Sequence, residues 1–414
     1  MRMARDELRK LPAYRLAGVM GIRPAERMGH IGQETAFEVL VRARALEATG
    51  RSVVHLEIGE PDFETPGHII AAAQQALEGG YTHYGPGAGL PELRQAVARY
   101  LRKWRGLDVD AGRVIITPGG KPVMFFAILA LVNPGDEVIY PNPGFPIYES
   151  MVTFVGGQAV PMPLREERRF RFDPDEFRSL VTDRTRLIII NSPHNPTGSV
   201  LTRSDLQIIA DVARERDIVV LSDEIYSRIL YTGHHESIAT LDGMLDRTIL
   251  LDGWSKTWAM TGWRLGFGVF PTELVPHVER LISNSVSCTA SFAQQAAVAA
   301  LDGPQDAVER MVEEFTERRS AIVQGLNTLP GVRCLEPDGA FYAFPNITGT
   351  GYHSRDLADA LLEEAGVACL AGTAFGSYGE GFVRFSYANS LDNIHLALER
   401  MRSLLASRQP VARL

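Results

Sequence analysis

The feature that most constrains the fold is the alternation of two hydrophobic patterns along the chain. Short runs rich in apolar and β-branched residues, most of them too short for helices, occur at 113–117, 137–140, 186–190, 218–222, 248–252 and 265–270. Segments with helical periodicity lie between several of them, such as 90–104, where apolar residues share one face behind Pro91. Strands that alternate with helices predict an α/β fold with a mostly parallel sheet covered by helices on both faces.

The pattern changes beyond Gly303. A long helical segment leads to short apolar runs near 332–335, 340–344, 367–370 and 382–387, and Ser390 is a suitable N-cap for a last helix. This pattern predicts a smaller α+β lobe, and we expect the N-terminal residues to pack against it. The predicted division is an N-terminal arm with part of the small domain at 1–60, a large domain at 61–303 and a small C-terminal domain at 304–414.

Composition narrows the class of partner. The 414 residues are 45% hydrophobic and 22% charged with a formal net charge of -8, and no long basic run occurs, so we expect no nucleic-acid partner. The longest apolar run, 123–132, is far shorter than the ~18 residues of a spanning helix, so we expect no membrane partner. The three cysteines form no CxxC pair, which predicts neither a metal site nor a disulfide framework and favours a cytoplasmic location.

The clearest candidate for covalent chemistry is Lys256, in the stretch WSKTWAMTGWR. Its neighbours are mostly bulky and apolar, so we expect them to remove the side chain from water. Desolvation lowers the pKa of a lysine ammonium. A neutral lysine amine is a good nucleophile.

Other polar residues also follow the predicted strands, and ligands of open α/β sheets bind at such strand ends. Gly119, Gly120 and Lys121 follow the first run, where a glycine turn before a helix suits a phosphate. Taken singly, each of these residues has a structural explanation as a turn, a helix cap or a surface ion pair. The others, in chain order, are Asn195, Asp223, Tyr226, Ser255, Lys256 and Arg264.

Together these groups describe a site for a phosphorylated aldehyde held by a lysine as a Schiff base. Backbone N–H groups and an arginine suit the phosphate, and the lysine suits the aldehyde. An acid suits a protonated pyridine nitrogen, which completes the pattern of a pyridoxal-phosphate site.

With these residues in place, the sequence resembles the class I aminotransferases, the aspartate-aminotransferase-like group of fold-type I pyridoxal-phosphate enzymes. The resemblance covers nearly the whole chain and implies pyridoxal 5′-phosphate as cofactor, bound by the domain at 61–303. The motifs that carry it are GEPDF at 59–63, Tyr84 through PELR at 91–94, GGK at 119–121, NPTG at 195–198, DEIY at 223–226, SK at 255–256, MTGWR at 260–264, GAFY at 339–342, and Arg384 before SYA at 386–388.

The resemblance implies the catalytic roles. Lys256 is the Schiff-base lysine, and once displaced it is the base that moves the proton from the substrate's Cα. Asp223 keeps the pyridine nitrogen protonated, because a carboxylate held near a cation favours the charged form. Tyr226 and Asn195 hydrogen-bond the ring oxygen.

The resemblance also implies the binding roles. Phe145 stacks on the cofactor ring, Arg384 grips the substrate's α-carboxylate, and Gly59 supplies a backbone contact. Tyr84 reaches the phosphate of the neighbouring subunit's cofactor, which implies a homodimer with composite sites. The groups that hold the phosphate are Arg264, Ser255 and the backbone of Gly119, Gly120 and Lys121.

Some positions depart from the family pattern. Gly253 stands where some relatives place a phosphate-binding serine, and His194 replaces a common asparagine. The segment 285–293 contains no arginine, whereas dicarboxylate-specific relatives carry a second substrate arginine from that region. An aspartate substrate is therefore in question, although other members achieve acidic specificity differently. The resemblance implies a side-chain pocket assembled from loops, the N-terminal arm around 28–34 and a second subunit, and spacing identifies neither the amino donor nor the acceptor.

The predicted function is a pyridoxal-phosphate-dependent aminotransferase that moves an amino group from an L-amino acid to a 2-oxo acid by a ping-pong mechanism. Two alternatives stay open at this point. One is a lyase or elimination enzyme that uses the same cofactor, and the other is a non-catalytic sensor built on the same fold. A nicotinamide dehydrogenase is poorly supported, since no GxGxxG motif occurs.

Overall fold

The structure, a computed structural model, describes residues 23–32 and 34–407. Its strands are β1 Val54–His55, β2 Val114–Thr117, β3 Glu137–Asn142, β4 Gln158–Pro163, β5 Thr185–Asn191, β6 Val219–Asp223, β7 Thr248–Gly253, β8 Gly266–Val269, β9 Tyr342–Ala343, β10 Val367–Ala368, β11 Leu370–Ala371 and β12 Val383–Ser386. Its α-helices are α1 Thr35–Glu47, α2 Gly67–Glu78, α3 Pro91–Arg105, α4 Lys121–Leu131, α5 Ile147–Phe154, α6 Pro174–Leu180, α7 Arg203–Glu215, α8 Val275–Ser285, α9 Ser291–Asp302, α10 Asp306–Asn327, α11 Ser354–Ala360 and α12 Leu391–Ser407.

Seven strands form the large sheet, in the order β2-β8-β7-β6-β5-β3-β4. Neighbouring strands are parallel except at β8, which runs antiparallel to both β2 and β7. The residues of β5, β6 and β7 are almost all buried, as expected for central strands covered on both faces. The predicted mostly parallel sheet is confirmed.

Helices cover both faces of this sheet. On one face, Leu187 and Ile189 of β5 belong to an apolar cluster that includes residues of α4 and α8. The alternate residues Ile188 and Ile190 belong to a cluster with residues of α7 on the other face. Each of these four side chains is buried and contributes about 1.5–3 kcal/mol by leaving water. The predicted two-faced covering is therefore also confirmed.

The remaining strands form two small sheets. β1 pairs in parallel with β10, so that Val54 lies opposite Val367. β11, β12 and β9 form an antiparallel sheet in that order. Helices α10 and α12 pack against each other beside these strands and share an apolar core with them. The start of the described chain thus lies against elements near its end, while the domain boundaries at 60 and 303 stay a prediction.

Two segments differ from the sequence-based strands. The run near 332–335 makes only an isolated bridge from Arg333 to Asn346, because Gly331 turns the chain with a φ of 73° and Pro337 supplies no N–H. Strand β4 is not predicted by the sequence, since Pro161 and Pro163 interrupt its donors. It lies at the edge of the large sheet, where proline is tolerated.

The ends of the central strands place the site. Asn191 at the end of β5 lies opposite Asp223 at the end of β6, and β7 runs alongside to Gly253.

Ser390 caps α12 as predicted, since its Oγ accepts a hydrogen bond from Asn393 N at 3.2 Å. Within the part of the chain that the structure describes, no helix has the length and apolar character needed to cross a membrane. The same residues contain no cluster of His, Cys, Asp and Glu suited to a metal ion.

Candidate active site

A cavity of about 540 Å³ opens at the carboxyl ends of the central strands. Its volume is typical of a site for a small molecule or cofactor. All the predicted site residues except Gly119 and Tyr84 line it. They are Gly59, Gly120, Lys121, Phe145, Asn195, Asp223, Tyr226, Ser255, Lys256, Arg264 and Arg384.

Lys256 follows β7 and points its amine into this cavity. Its Nζ donates a hydrogen bond to the carbonyl oxygen of Gly59 at 2.5 Å. Burial lowers the pKa of Lys256 to about 8, and the nearby carboxylates of Glu60 and Glu34 only partly oppose that shift. The amine is therefore far easier to deprotonate than a lysine in water.

Asp223 ends β6 as a buried carboxylate with no basic partner in the part of the chain that the structure describes. Its Oδ2 accepts a hydrogen bond from Tyr148 Oη at 2.6 Å, and its Oδ1 accepts one from Ile225 N at 3.2 Å. Burial raises the pKa of Asp223 to about 6, although the Tyr148 hydrogen bond acts in the opposite direction. The sequence does not single out Tyr148, whose position inside α5 resembles that of any apolar-facing helix residue.

Arg384 on β12 is a buried cation with no anionic partner among residues 23–32 and 34–407. Its guanidinium lies between the rings of Tyr342 and Phe375, at 4.4 and 4.9 Å from their centroids. Nη1 donates to Asn195 Oδ1 at 3.0 Å, and Nη2 donates to the carbonyl oxygen of Glu57. The buried Nε has no hydrogen-bond partner, and no ion pair among the described residues involves this arginine. An incoming carboxylate would satisfy it.

Gly119 and Arg264 meet at another end of the site. Gly119 has a φ of 94°, and a Cβ built on it would lie 2.3 Å from Arg264 Nη2. Arg264 in turn donates Nη1 to the carbonyl oxygen of Thr261 at 2.8 Å. α4 begins next to this pair at Lys121, so its free N–H groups face the same end. Gly253 is needed for packing, since a Cβ there would lie 2.9 Å from Gly266 Cα.

Tyr226 contacts a second tyrosine, Tyr342. Tyr342 belongs to the GAFY motif, but the sequence does not predict it as a site residue. The hydroxyls of Tyr226 and Tyr342 lie 2.6 Å apart. Burial, reinforced by Tyr342, raises the pKa of Tyr226 well above its ordinary value, so its hydroxyl keeps its proton. Gly59 is required beside them, because a Cβ at that position would lie 2.2 Å from Tyr342 Oη.

Two further positions lie at the edge of this arrangement. Lys121 donates from Nζ to Glu34 Oε2 at 2.6 Å, and its ammonium lies 5.5 Å from the centroid of the Phe145 ring. Glu34 lies before α1, at the end of the arm 28–34 that is expected to contribute to the side-chain pocket, but the sequence does not identify it as the residue that faces inward. Tyr84 does not line the cavity, and its side chain is 87% exposed. Its expected role in a second subunit therefore stays a prediction.

Comparison with known proteins identifies the family. Residues 51–401 match the model of the family described as aminotransferase class I and II. The chain is 43% identical to an aspartate aminotransferase of Pyrococcus abyssi over 87% of this chain and 93% of the relative. It is 42% identical to aromatic-amino-acid aminotransferase 2 of Thermococcus litoralis, again over 87% of this chain and 93% of the relative.

A solved structure shows the same architecture. The aspartate aminotransferase of Thermus thermophilus with maleate superposes with a TM-score of 0.89 at 37% identity, and the match covers 93% of this chain and all of that one (100%). The chain therefore belongs to the class I and II aminotransferases.

Proposed function

We propose that the cavity holds pyridoxal 5′-phosphate and that the enzyme uses it to move the amino group of an L-amino acid to a 2-oxo acid in two half-reactions. One observation carries the proposal. Asp223 and Arg384 are buried charges without counter-ions among the described residues, and both face one cavity together with an amine of lowered pKa. Buried charges that lack partners are costly in a folded protein, so a ligand that supplies opposite charges fits this site.

The end near Gly119 fits a phosphate. The two glycines leave room for close backbone approach, and the start of α4 offers free N–H groups. Arg264 supplies a fork of donors suited to a phosphate dianion, and Ser255 lies in the same wall. We assign phosphate binding to these groups with the backbone of Gly119, Gly120 and Lys121.

The region around Asp223 fits a cationic ring. When bound, pyridoxal phosphate supplies an aldehyde that takes up the amino group and a ring that withdraws electrons from the substrate's α-carbon. Asp223 would hold a proton on the ring nitrogen, since a nearby cation relieves its burial penalty. Tyr226 and Asn195 would donate hydrogen bonds to the ring oxygen, with Tyr342 orienting Tyr226. Phe145 would pack on the ring face.

Substrate binding and proton movement fall to two residues. Arg384 would bind the α-carboxylate through its free Nε and an Nη group, which orients the Cα–H bond toward the amine. The neutral amine of Lys256 would then remove the proton from the substrate's Cα. A pKa of about 8 leaves roughly a tenth of this amine neutral at pH 7, compared with about 0.03% at the ordinary pKa of a lysine.

The assembly and location are part of the same proposal. We assign 61–303 to cofactor binding and 1–60 with 304–414 to the small domain. In a homodimer, the exposed Tyr84 would reach the phosphate held by a second copy of the chain. Free, buried thiols at Cys334 and Cys369 support a reducing cytoplasm as the location.

The decisive experiment compares the purified protein with Lys256→Ala in the presence of pyridoxal phosphate. We expect the unchanged protein to bind the cofactor with a shift in its visible absorbance, and borohydride should fix the label on Lys256. Formation of more than one equivalent of 2-oxo acid per active site should require an added oxo-acid acceptor, because the first half-reaction alone releases one equivalent. The variant should fold but lose at least about 10³-fold in turnover, since it lacks both the binding amine and the base.

Lys103→Ala is the matched control, because that ammonium lies on α3 beside the Trp104 ring and outside the cavity. It should leave both absorbance and turnover unchanged. Full transamination by Lys256→Ala would contradict the assignment. Continued release of 2-oxo acid without any acceptor, beyond one equivalent per active site, would show an elimination reaction instead.

A further inference from the structure

The cavity contains charged side chains for which the proposed chemistry has no use. Arg384, Arg264, Lys256 and Asp223 each have a partner in the bound substrate or cofactor. Among the described residues that line the cavity, those left over are one ammonium, Lys121, and two carboxylates, Glu34 and Glu60. Their combined charge is negative, and it acts on whatever side chain a substrate carries.

The ammonium in this set is already neutralised. Lys121 Nζ donates to Glu34 Oε2 at 2.6 Å, and the two side chains are 47% and 24% exposed. Glu60 accepts a hydrogen bond from Thr261 Oγ1 but has no basic partner among its contacts. An acidic side chain that entered here would therefore meet two carboxylates and an ammonium that must first leave Glu34.

These carboxylates act on the reacting part of the site. Both Glu34 and Glu60 raise the pKa of Lys256 electrostatically, so both lie within range of its amine. Glu34 has the same kind of effect on Tyr342, which stacks on Arg384. The negative charge is thus close to the place where a substrate bound through its α-carboxylate would extend its side chain.

The wall beside these groups suits a long aliphatic stem. Phe37 of α1, three residues after Glu34, lines the cavity and is 56% exposed. Ile58 lines it as well, next to Gly59 and Glu60. A methylene chain packed on these side chains would carry its terminal group to the two carboxylates.

We infer that Glu34, with Glu60, selects amino donors whose side chains end in a positive charge, such as ornithine, lysine or arginine, over acidic donors. This inference rests on the proposed function and names its substrate class. A cationic side chain brings the leftover charges to neutrality, whereas an acidic one adds a third anion. Specificity then comes from repulsion of the acidic competitor as well as from attraction.

The test uses Glu34→Gln, which keeps the shape and removes the charge. Conversion of the bound cofactor to its amine form is followed for arginine against citrulline, its uncharged counterpart, and for glutamate against glutamine. In the unchanged holoenzyme, we expect arginine to exceed citrulline and glutamine to exceed glutamate in the second-order rate constant of this conversion. In Glu34→Gln, the arginine-to-citrulline ratio should fall about 10-fold, and the glutamate-to-glutamine ratio should rise by a similar factor.

A second readout does not depend on turnover. Calorimetry on the holoenzyme uses 5-guanidinopentanoate, 5-ureidopentanoate and glutarate, which lack the reacting amino group. In Glu34→Gln, the affinity for the guanidino compound relative to the ureido compound should fall, and the relative affinity for glutarate should rise. Glu38→Gln is the matched control, because Glu38 is exposed on α1 and does not line the cavity. It should change neither ratio. Glu60→Gln should lower the arginine preference and provides a second variant if Glu34→Gln does not fold.

Two failures can be told apart. If every donor is transaminated but glutamate surpasses arginine, and Glu34→Gln and Glu60→Gln leave both ratios within twofold, the inference on Glu34 is wrong and the proposed function stands. If no donor converts the cofactor and Lys256→Ala is indistinguishable from the unchanged protein, the proposed function itself fails.

Discussion

Asp223 and Glu224 are adjacent carboxylates at the end of β6, and both are buried, but their surroundings are opposite. Glu224 Oε2 accepts from Arg105 Nη1 at 2.7 Å and lies 2.8 Å from His235 Nε2. Its Oε1 accepts from the hydroxyls of Ser222 and Ser237. Asp223 has only a tyrosine hydroxyl and one backbone N–H. Two buried carboxylates thus differ in whether the described part of the protein supplies a counter-ion.

The pKa values show the consequence. Burial acts to raise both values. For Glu224, Arg105 and His235 outweigh burial and lower the pKa to about 2, whereas for Asp223 burial prevails and raises the pKa to about 6. A buried carboxylate that is fully paired is explained by the fold alone. One that is unpaired and faces a cavity requires a ligand to explain it.

The same contrast separates two groups of residues. In the closed cluster, Arg105, Glu224, Asp252 and His235, the charged groups are paired with one another, since Arg105 contacts both carboxylates and His235 Nε2 contacts Glu224. The pairing is incomplete, because burial still raises the pKa of Asp252 and His235 Nδ1 has no hydrogen-bond partner among the described residues. The open cluster, Asp223, Lys256 and Arg384, lines the cavity without internal ion pairs. Both clusters include residues from the ends of β6 and β7 or just beyond. The closed cluster therefore fixes the backbone from which Asp223 and Lys256 extend.

The largest effect should come from breaking the closed cluster. Arg105→Met leaves Glu224 and Asp252 buried without their guanidinium, so we expect the free energy of unfolding to fall by about 3–5 kcal/mol. Chemical denaturation of the apoprotein measures this loss. Because the change acts on the fold, it should appear equally with and without pyridoxal phosphate.

Arg102→Met is the control from the same helix. Arg102 pairs with Asp108 at the surface, where the two side chains are 70% and 79% exposed. Its removal should change the stability by less than about 1 kcal/mol. If both variants lose equally little, the closed cluster is not a source of stability, and the contrast with the open cluster loses its basis.

The next largest effect on the free energy of unfolding should come from the open cluster, where a substitution should stabilise the apoprotein rather than destabilise it. Asp223→Asn removes a carboxylate whose folded-state pKa, about 6, lies above its ordinary 3.8. Ionised Asp223 destabilises the folded apoprotein, because the carboxylate is buried without a counter-ion among the described residues. The free energy of unfolding is therefore higher at low pH, where Asp223 is protonated, and it falls as the pH rises through the folded-state pKa of about 6. At pH 8 the apo variant should be more stable than the unchanged apoprotein by up to about 3 kcal/mol.

The measurement is the free energy of unfolding of both apoproteins between pH 4 and pH 8. The difference should fall below about 1 kcal/mol at pH 4, where Asp223 of the folded protein is protonated. The holoenzyme should lose about 10²-fold or more in turnover in the same variant, because the ring nitrogen loses its anionic partner. Glu224→Gln should do the reverse and destabilise the apoprotein at pH 8. Loss of stability in both variants would remove the distinction.

Much of this arrangement can be predicted from the sequence. The central strands form apolar runs because they are buried on both faces, and the polar residues that follow them are then conspicuous. Lys256 and Asp223 stand out in this way, and the structure brings both to one cavity with Arg384. Edge strand β4 cannot be predicted in this way, because its prolines weaken the sequence pattern of a strand.

The rest depends on contacts between distant parts of the chain. Tyr148 reaches Asp223 across 75 positions, and Glu34 reaches Lys121 across 87. Neither residue differs from an ordinary helix or loop residue in its local sequence. Arg105 ends α3 with other basic residues, a pattern typical of an exposed helix C-terminus, and only tertiary packing shows that it is buried.

The smallest expected effect tests one hydrogen bond, from Tyr148 to Asp223, that contributes to the difference between Asp223 and Glu224. Tyr148 is the side chain that stabilises ionised Asp223, so Tyr148→Phe should raise the pKa of Asp223 further, by about one unit, or about 1.4 kcal/mol. The loss of apoprotein stability with rising pH, which in the unchanged protein ends near pH 6, should then extend to near pH 7. The same variant combined with Asp223→Asn should show no such extension, because the titrating group is absent. Tyr81→Phe, at a side chain that is 39% exposed, should leave the pH profile unchanged. A profile for Tyr148→Phe that matches the unchanged protein would mean that the hydroxyl does not act on the carboxylate, and that burial alone makes Asp223 differ from Glu224.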